Sequence, residues 1–140
     1  MLKQRLIARH KDKGFRVTSQ RLAVLEFLEG NTSHPSAEEI FQAVKQSHPT
    51  ISFATVYNTL EMLRNSGEVL ELGIDPARRR YDPNTMPHNH IVCGKCGKIG
   101  DVLDKNLNMK SGGFDIPGYT VSSWHIDFQG ICLDCEREGR

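Results

Sequence analysis

The chain has 140 residues, of which 25% are charged, so it is long enough for one or two small domains. No apolar run approaches the length of a membrane span, which argues against a membrane protein. The N-terminal sequence lacks the apolar stretch and small-residue cleavage site of a signal peptide, so we expect a cytoplasmic protein.

Charge is unevenly distributed, although the formal net charge is only +1. Residues 1–21 contain seven lysines and arginines and a single acid, whereas residues 81–140 contain six basic and eight acidic residues. A basic first segment favours a polyanionic partner such as nucleic acid. A solvated amphipathic helix would have the same charge pattern, and on charge alone that simpler interpretation is the better one.

The first half of the chain is predicted to consist of capped helices. A short amphipathic stretch with Leu2, Leu6 and Ile7 opens the sequence. Thr18 is a good N-cap for a helix over residues 19–28, whose leucines recur at helical spacing. Ser36 is followed three residues later by a glutamate, which is the spacing of a capping box and predicts the next helix.

Ser52 is the expected N-cap of a further helix over residues 53–65. Its predicted buried stripe consists of Phe53, Val56, Leu60 and Leu63. The other faces carry Ala54, Tyr57, Asn58, Glu61 and Arg64. An asparagine can bond adenine and an aromatic ring can contact a thymine methyl group, so Tyr57 and Asn58 suit base edges. The alternative is that Tyr57 packs beneath the strands that follow.

Residues 69–72 and 79–81 are expected to pair as a small hairpin across a turn at Asp75. Helices followed by a two-stranded wing form a winged helix-turn-helix, in which residues 53–65 occupy the place of the DNA-recognition helix. Residues 1–83 are therefore predicted to form a winged-helix domain.

The sequence changes in character after Pro83. Short β-like runs at residues 91–92 and 121–128 alternate with glycine-rich turns, which predicts a second domain over residues 84–140. The expected fold class is therefore α+β, with a winged helix-turn-helix domain followed by a smaller domain of strands and helix.

Four cysteines form two C-x-x-C pairs, Cys93 with Cys96 and Cys132 with Cys135. Disulfides are disfavoured in a cytosolic chain, and two such tight turns present four thiolates to one ion. The pairs therefore predict a tetrahedral structural zinc site, which would stabilise a domain with a thin core. The alternative is a redox dithiol, but its βαβ context is missing.

A second set of candidate ligands lies around the predicted domain boundary. His88 and His90 alternate, so in an extended segment both imidazoles project to the same side. With Asp82, Asp101 and His34 they form a set of three imidazoles and two carboxylates that suits Fe(II), Mn(II) or Zn(II). If His34 joins the set, the ion would hold the two domains in one orientation. Taken singly, His34 could be a surface cap residue, and Asp101 could simply end a strand.

Six segments follow one another in the order of the ferric uptake regulator (Fur) family: RVTSQRLAVLEFL, SHPSAEEIF, ISFATVYNTLEMLRNSGEV, RYDP, HNHIVCGKCGKIGDV and GICLDC. The chain resembles this family from about Gly14 to Cys135. The resemblance implies an N-terminal winged-helix DNA-binding domain and a C-terminal α/β dimerisation domain. It also implies a homodimer that represses transcription from palindromic double-stranded DNA operators when it is loaded with metal.

The resemblance also assigns roles to particular residues. The structural zinc ligands correspond to Cys93, Cys96, Cys132 and Cys135. The ligands of a regulatory, inter-domain Fe(II) or Mn(II) correspond to His34, Asp82, His88, His90 and Asp101. The DNA contacts correspond to Arg16, in or near the minor groove, and to a recognition helix that carries Ala54, Tyr57, Asn58 and Arg64.

The regulatory aspartates point to one branch of the family. Iron-sensing relatives usually carry Glu at the position of Asp101, whereas the peroxide-sensing branch (PerR) carries Asp there and at the position of Asp82. The resemblance therefore implies a sensor in which Fe(II) reacts with peroxide, His34 or His88 is oxidised, and DNA is released. Such a protein is consumed by the reaction, so it would not be an enzyme.

The sequence departs from many relatives in three places. The consecutive arginines Arg78, Arg79 and Arg80 predict phosphate contacts and hence salt-dependent binding at the wing. Residues 105–113 lack a glutamate that helps to form an additional metal site in some members, so no such site is expected. Many relatives have a longer histidine-rich run before this pair, whereas this chain has only His88 and His90. His125 lies in a predicted strand and is not assigned as a ligand.

Three other functions remain open. The same architecture could sense iron or zinc as a nutrient. A zinc-ribbon interaction module without a specific DNA target is a different class, against which the winged-helix pattern argues. An enzyme is the weakest class, since five protein ligands leave little room for a substrate.

Overall fold

The computed structural model describes Gln4, Ala8 and residues 17–103, 115–122 and 124–139. These residues form two compact units that divide between Thr85 and Met86. Arg16, the apolar residues of the predicted N-terminal stretch and residues 105–113 lie outside the described residues.

The first unit contains three helices, α1 (Ser19–Leu28), α2 (Ala37–Lys45) and α3 (Phe53–Asn65). Each begins after its predicted cap, because the side-chain oxygens of Thr18, Ser36 and Ser52 accept hydrogen bonds from N–H groups three residues later. Such bonds satisfy donors that the first turn of a helix leaves without a helical partner. The predicted bounds of α1 and α3 are confirmed.

The three helices enclose a core of aliphatic side chains, and Leu28, Ile40, Leu60 and Leu63 have no exposed surface. The prediction that Phe53 belongs to the buried stripe of α3 is wrong, because this residue is 40% exposed. It lies in the first turn of α3, where its ring meets the ring of Phe41 edge-on at 5.8 Å between centroids. Thr59 takes a buried position instead, and its hydroxyl donates to the Thr55 carbonyl at 2.7 Å.

Two short strands complete the first unit, β1 (Leu70–Leu72) and β2 (Arg80–Asp82). They pair antiparallel, with Leu70 opposite Asp82. The predicted hairpin is therefore confirmed, although β2 begins and ends one residue later than expected. The buried ring of Tyr81 joins the hairpin to the helical core, so the hairpin is fixed to the helices as a wing.

The second unit contains three strands and a short helix: β3 (Asn89–Cys93), β4 (Ile99–Val102), β5 (Asp127–Gly130) and α4 (Leu133–Arg137). The central strand β3 pairs antiparallel with β4 and parallel with β5. The predicted strand over 121–128 is mostly wrong, because its described part enters the sheet only at Asp127.

The second unit has a small core. In its described part the buried apolar side chains are Val92, Cys93 and Ile99. Across the described residues of both units, no helix combines the length and apolar composition needed to cross a membrane.

Candidate metal centres and nucleic-acid interface

The two C-x-x-C pairs meet where β3 ends and α4 begins. The Sγ atoms of Cys93, Cys96, Cys132 and Cys135 lie within 4.8 Å of one another, and those of Cys96 and Cys132 are 3.8 Å apart. Four thiolates around a tetrahedral zinc ion, each at about 2.3 Å, are separated by about 3.8 Å. The donor set and its spacing therefore fit a structural zinc ion.

The backbone around Cys93 favours its thiolate form. Backbone N–H groups of Cys132, Cys96 and Lys95 face its sulfur and lower the pKa of Cys93 to about 6. By contrast, hydrogen bonding with Cys132 and then burial raise the pKa of Cys135 to about 12, because both favour its protonated thiol over the thiolate. A bound zinc ion would displace that proton, since the metal ligand is the thiolate.

The second unit also brings two imidazoles to one carboxylate. His90 on β3 lies directly opposite Asp101 on β4, and their Nε2 and Oδ1 atoms are 3.5 Å apart. His88 reaches the same oxygen at 3.3 Å, with its ring 4.4 Å from that of His90. His88 and His90 thus share one side, as their alternation predicts, and Asp101 lies within β4 rather than ending it.

The first unit brings together a second imidazole–carboxylate pair. The side chains of His34 and Asp82 are almost fully buried, and Nε2 of His34 is 3.4 Å from Oδ2 of Asp82. The alternative that His34 is a surface cap residue is therefore wrong. Ligand atoms about 2.1 Å from a shared ion are separated by about 3.0–3.5 Å, so this pair and the His88–His90–Asp101 group each have the spacing of metal ligands.

Sequence reasoning missed one further group near His90. His125 Nε2 lies 2.6 Å from Asp127 Oδ1, and the His125 ring is 5.6 Å from the His90 ring. His125 precedes β5 rather than lying in a strand as predicted. The alternation of His125 and Asp127 is the signal that could have identified this pair.

Helix α3 presents the predicted DNA-contacting residues on its exposed surface. Ala54, Tyr57 and Asn58 are exposed, and Tyr57 is 46% exposed, so it is not packed beneath the hairpin. Arg64 lies two turns further along, where it forms ion pairs with Glu61 at 2.9 Å and Glu71 at 3.2 Å. Arg64 must exchange these partners in order to contact a phosphate.

The three arginines of the wing differ in their surroundings. Arg79 is 66% exposed and Arg78 is 44% exposed, so both can approach phosphate. The predicted phosphate contact of Arg80 is wrong, because its side chain is 8% exposed and its Nη2 atom lies 3.0 Å from Asp75. The Ala77 N–H and then the Arg80 guanidinium lower the pKa of Asp75, so this carboxylate remains charged at neutral pH.

Comparison with known proteins places the chain in a family. The model of the ferric uptake regulator family matches residues 12–127. The peroxide-responsive repressor PerR of Staphylococcus epidermidis is 37% identical over 134 residues, covering 95% of this chain and 89% of that protein. The structure of PerR from Streptococcus pyogenes is 32% identical with a TM-score of 0.56, covering 96% and 92% of the two chains. The structure of the Francisella tularensis ferric uptake regulator with iron is 25% identical with a TM-score of 0.69, and the match covers 88% of this chain and 96% of that one. The chain belongs to the ferric uptake regulator family.

Proposed function

We propose that this protein is a metal-dependent transcriptional repressor that binds DNA and responds to peroxide. The observation that carries the proposal is that one chain contains a winged helix and two chemically different clusters of side chains, one of cysteines and the other of histidines and aspartates. Four thiolates suit a permanent zinc ion, whereas imidazoles and carboxylates suit an exchangeable Fe(II) or Mn(II). A sensor needs both a stable fold and an exchangeable ion, and the two ligand sets supply them separately.

The proposed regulatory ligands are His34, Asp82, His88, His90 and Asp101. The distances from imidazole Nε2 to carboxylate oxygen within each unit support this assignment. This distance is 3.4 Å in the first unit, and it is 3.3 Å and 3.5 Å in the second. Because an ion needs all its ligands at once, metal binding would favour the arrangement of the protein that presents them over others. That arrangement is the proposed DNA-binding state.

The proposed response to peroxide is a stoichiometric oxidation. A bound Fe(II) ion would supply the one-electron chemistry that starts cleavage of the O–O bond, and the imidazole would return that electron, so the ion would not be a net reductant. One peroxide oxygen is inserted at the carbon between the ring nitrogens of His34 or His88, and the other leaves as water. Peroxide is thus reduced by two electrons and the imidazole is oxidised by two. Both ring nitrogens then carry hydrogen, so the ring has no lone pair for the metal, and the protein does not turn over as an enzyme does.

The proposed macromolecular partners are palindromic double-stranded DNA and a second copy of this chain. The DNA would be contacted by Arg16, Ala54, Tyr57, Asn58 and Arg64. A two-fold dimer matches two half-sites of a palindrome. The second unit exposes Ile91 by 38% and Ile131 by 47%, which suits an apolar dimer contact. A repressor of this kind works where the DNA is, which in a bacterium is the cytoplasm.

The experiment that tests this function is selection of a randomised duplex DNA library with the zinc-replete protein in Mn(II). We expect a palindromic sequence to be enriched, and enrichment to be lost when a chelator removes Mn(II) but leaves zinc. Without enrichment in either condition, the protein would be better described as a zinc-ribbon interaction module.

A repressor that senses metal levels is the second candidate. The favouring observation is the Francisella tularensis regulator with iron, which is 25% identical to this chain. The same five ligands would serve both functions, and Asp101 differs from the Glu of iron sensors by one methylene. Reactivity with peroxide separates the two candidates.

Replacing Tyr57 with alanine is expected to weaken binding to the selected operator about ten-fold, which corresponds to the loss of one base contact. The fold should be unchanged, since the side chain is 46% exposed. Fluorescence anisotropy with labelled operator measures the affinity, and thermal unfolding checks the fold. Gln42→Ala on the exposed surface of α2 is the matched control. Equal affinities for the two variants would place the recognition surface elsewhere.

A further inference from the structure

Arg80 connects two segments of the first unit that are distant in sequence. Its Nη1 atom donates to the His34 carbonyl at 3.1 Å, while Nε donates to Asp75 Oδ2 at 3.0 Å. The Arg80 and Asp75 side chains are 8% and 11% exposed. A buried guanidinium is stable only when it is paired and hydrogen-bonded, so these contacts fix the position of Arg80.

The main chain of His34 needs such support. Its φ is +53°, in the left-handed region that non-glycine residues adopt at a cost of about 1–3 kcal/mol. Strand β2 holds this conformation by hydrogen bonds to two consecutive main-chain carbonyls. The Arg80 side chain donates to the carbonyl of His34, and the Tyr81 N–H donates to the carbonyl of Pro35 at 2.9 Å. A strained backbone persists when its surroundings over-determine it, and β2 provides those surroundings.

The same strand carries Asp82, whose carboxylate lies 3.4 Å from the His34 imidazole. Strand β2 therefore supplies one proposed metal ligand and supports the main chain of the other. Asp75, the second partner of Arg80, belongs to the loop between β1 and β2. The ligand pair and the wing loop are thus joined through one side chain.

We propose that Arg80 is a positioning residue of the regulatory metal site, which holds the His34 main chain so that its imidazole faces Asp82. This inference rests on the proposed function, because it treats His34 and Asp82 as ligands. Outer partners that orient ligands typically contribute 10- to 100-fold to metal affinity.

The decisive variant is Arg80→Lys. Lysine keeps the positive charge beside Asp75, but a single ammonium group lacks the planar fork that contacts Asp75 and the His34 carbonyl together. Arg79→Lys is the matched control, because Arg79 is 66% exposed and pairs with Glu71 at 3.5 Å. In the zinc-replete protein we expect Arg80→Lys to bind Mn(II) about ten-fold more weakly and to alter the Co(II) absorption spectrum. Arg79→Lys should leave both unchanged.

A purely structural role would lower the unfolding temperature of the protein without Mn(II) but would leave the Co(II) spectrum and Mn(II) affinity of the folded protein unchanged. That result would overturn the inference. If Arg80→Lys does not fold, Asp75→Asn decides by the same two measurements, because it removes the charge that fixes Arg80 and leaves the arginine in place.

His34→Ala distinguishes failure of this inference from failure of the proposed site. If His34→Ala binds Mn(II) like the unaltered protein, the assignment of the ligands is wrong. If His34→Ala loses Mn(II) affinity and Arg80→Lys does not, only the positioning role fails. With both correct, adding Arg80→Lys to His34→Ala should produce no further loss of Mn(II) affinity, since the two act on the same ligand.

Discussion

Replacing Cys96 with alanine is expected to abolish zinc binding and to unfold the second unit, while the helices of the first unit remain folded. The described part of the second unit buries only three apolar side chains, and a core this small supplies at most about 3–5 kcal/mol. A structural zinc ion contributes on the order of 10 kcal/mol in small zinc domains. Zinc analysis measures the loss of the metal, and limited trypsin digestion measures the unfolding. We expect faster cleavage after Lys95 and Lys98 but not within α1–α3.

Cys96→His is the matched control for this experiment. The position is exposed, and an imidazole is an accepted fourth ligand beside three thiolates. We therefore expect Cys96→His to retain zinc and to protect Lys95 and Lys98 from trypsin. A zinc-free Cys96→Ala protein that resists digestion as well as the control would mean that the sheet is stable without the metal.

The helix ends of the first unit were predictable because the determining contacts are local. Thr18, Ser36 and Ser52 each accept a hydrogen bond from an N–H three residues away, so the sequence around each cap is sufficient. The cysteine pairs were predictable for a similar reason, since C-x-x-C spacing itself forms each half of the site.

Contacts between distant segments were not predictable in the same way. Arg80 looked like a phosphate-binding residue because its neighbours are arginines, yet its partners are Asp75 and the carbonyl of His34, 46 residues earlier. Phe53 follows the helical period, but its place in the first turn of α3 leaves it exposed. In the β-like run over 121–128, an apolar pattern by itself did not specify where pairing with β3 begins.

Exposing the Fe(II)-loaded, zinc-replete protein to a small excess of hydrogen peroxide is expected to add one oxygen atom to His34 or His88. These imidazoles are proposed ligands of Fe(II), so they would be among the side chains nearest to an oxidant formed at that ion. Loss of a ligand should weaken operator binding by a factor between about 5 and 150, the usual range of coupling between sites. Peptide mass spectrometry locates the oxygen, and anisotropy with the operator measures the loss of binding.

The Mn(II)-loaded protein is the first control, because Mn(II) does not supply the electron that cleaves peroxide, and neither histidine should gain oxygen. His48 is an internal reference in the same digest, since it lies beside Ser47 after α2 and belongs to neither ligand set. Asp101→Glu keeps the charge but lengthens the side chain that faces His88 and His90, so it tests whether ligand geometry controls the reaction with peroxide. If the Fe(II) protein gains no oxygen on His34 or His88 while operator binding still requires added metal, the protein senses metal levels rather than peroxide. In that case the exchange of Fe(II) or Mn(II), not oxidation of a ligand, would release the DNA.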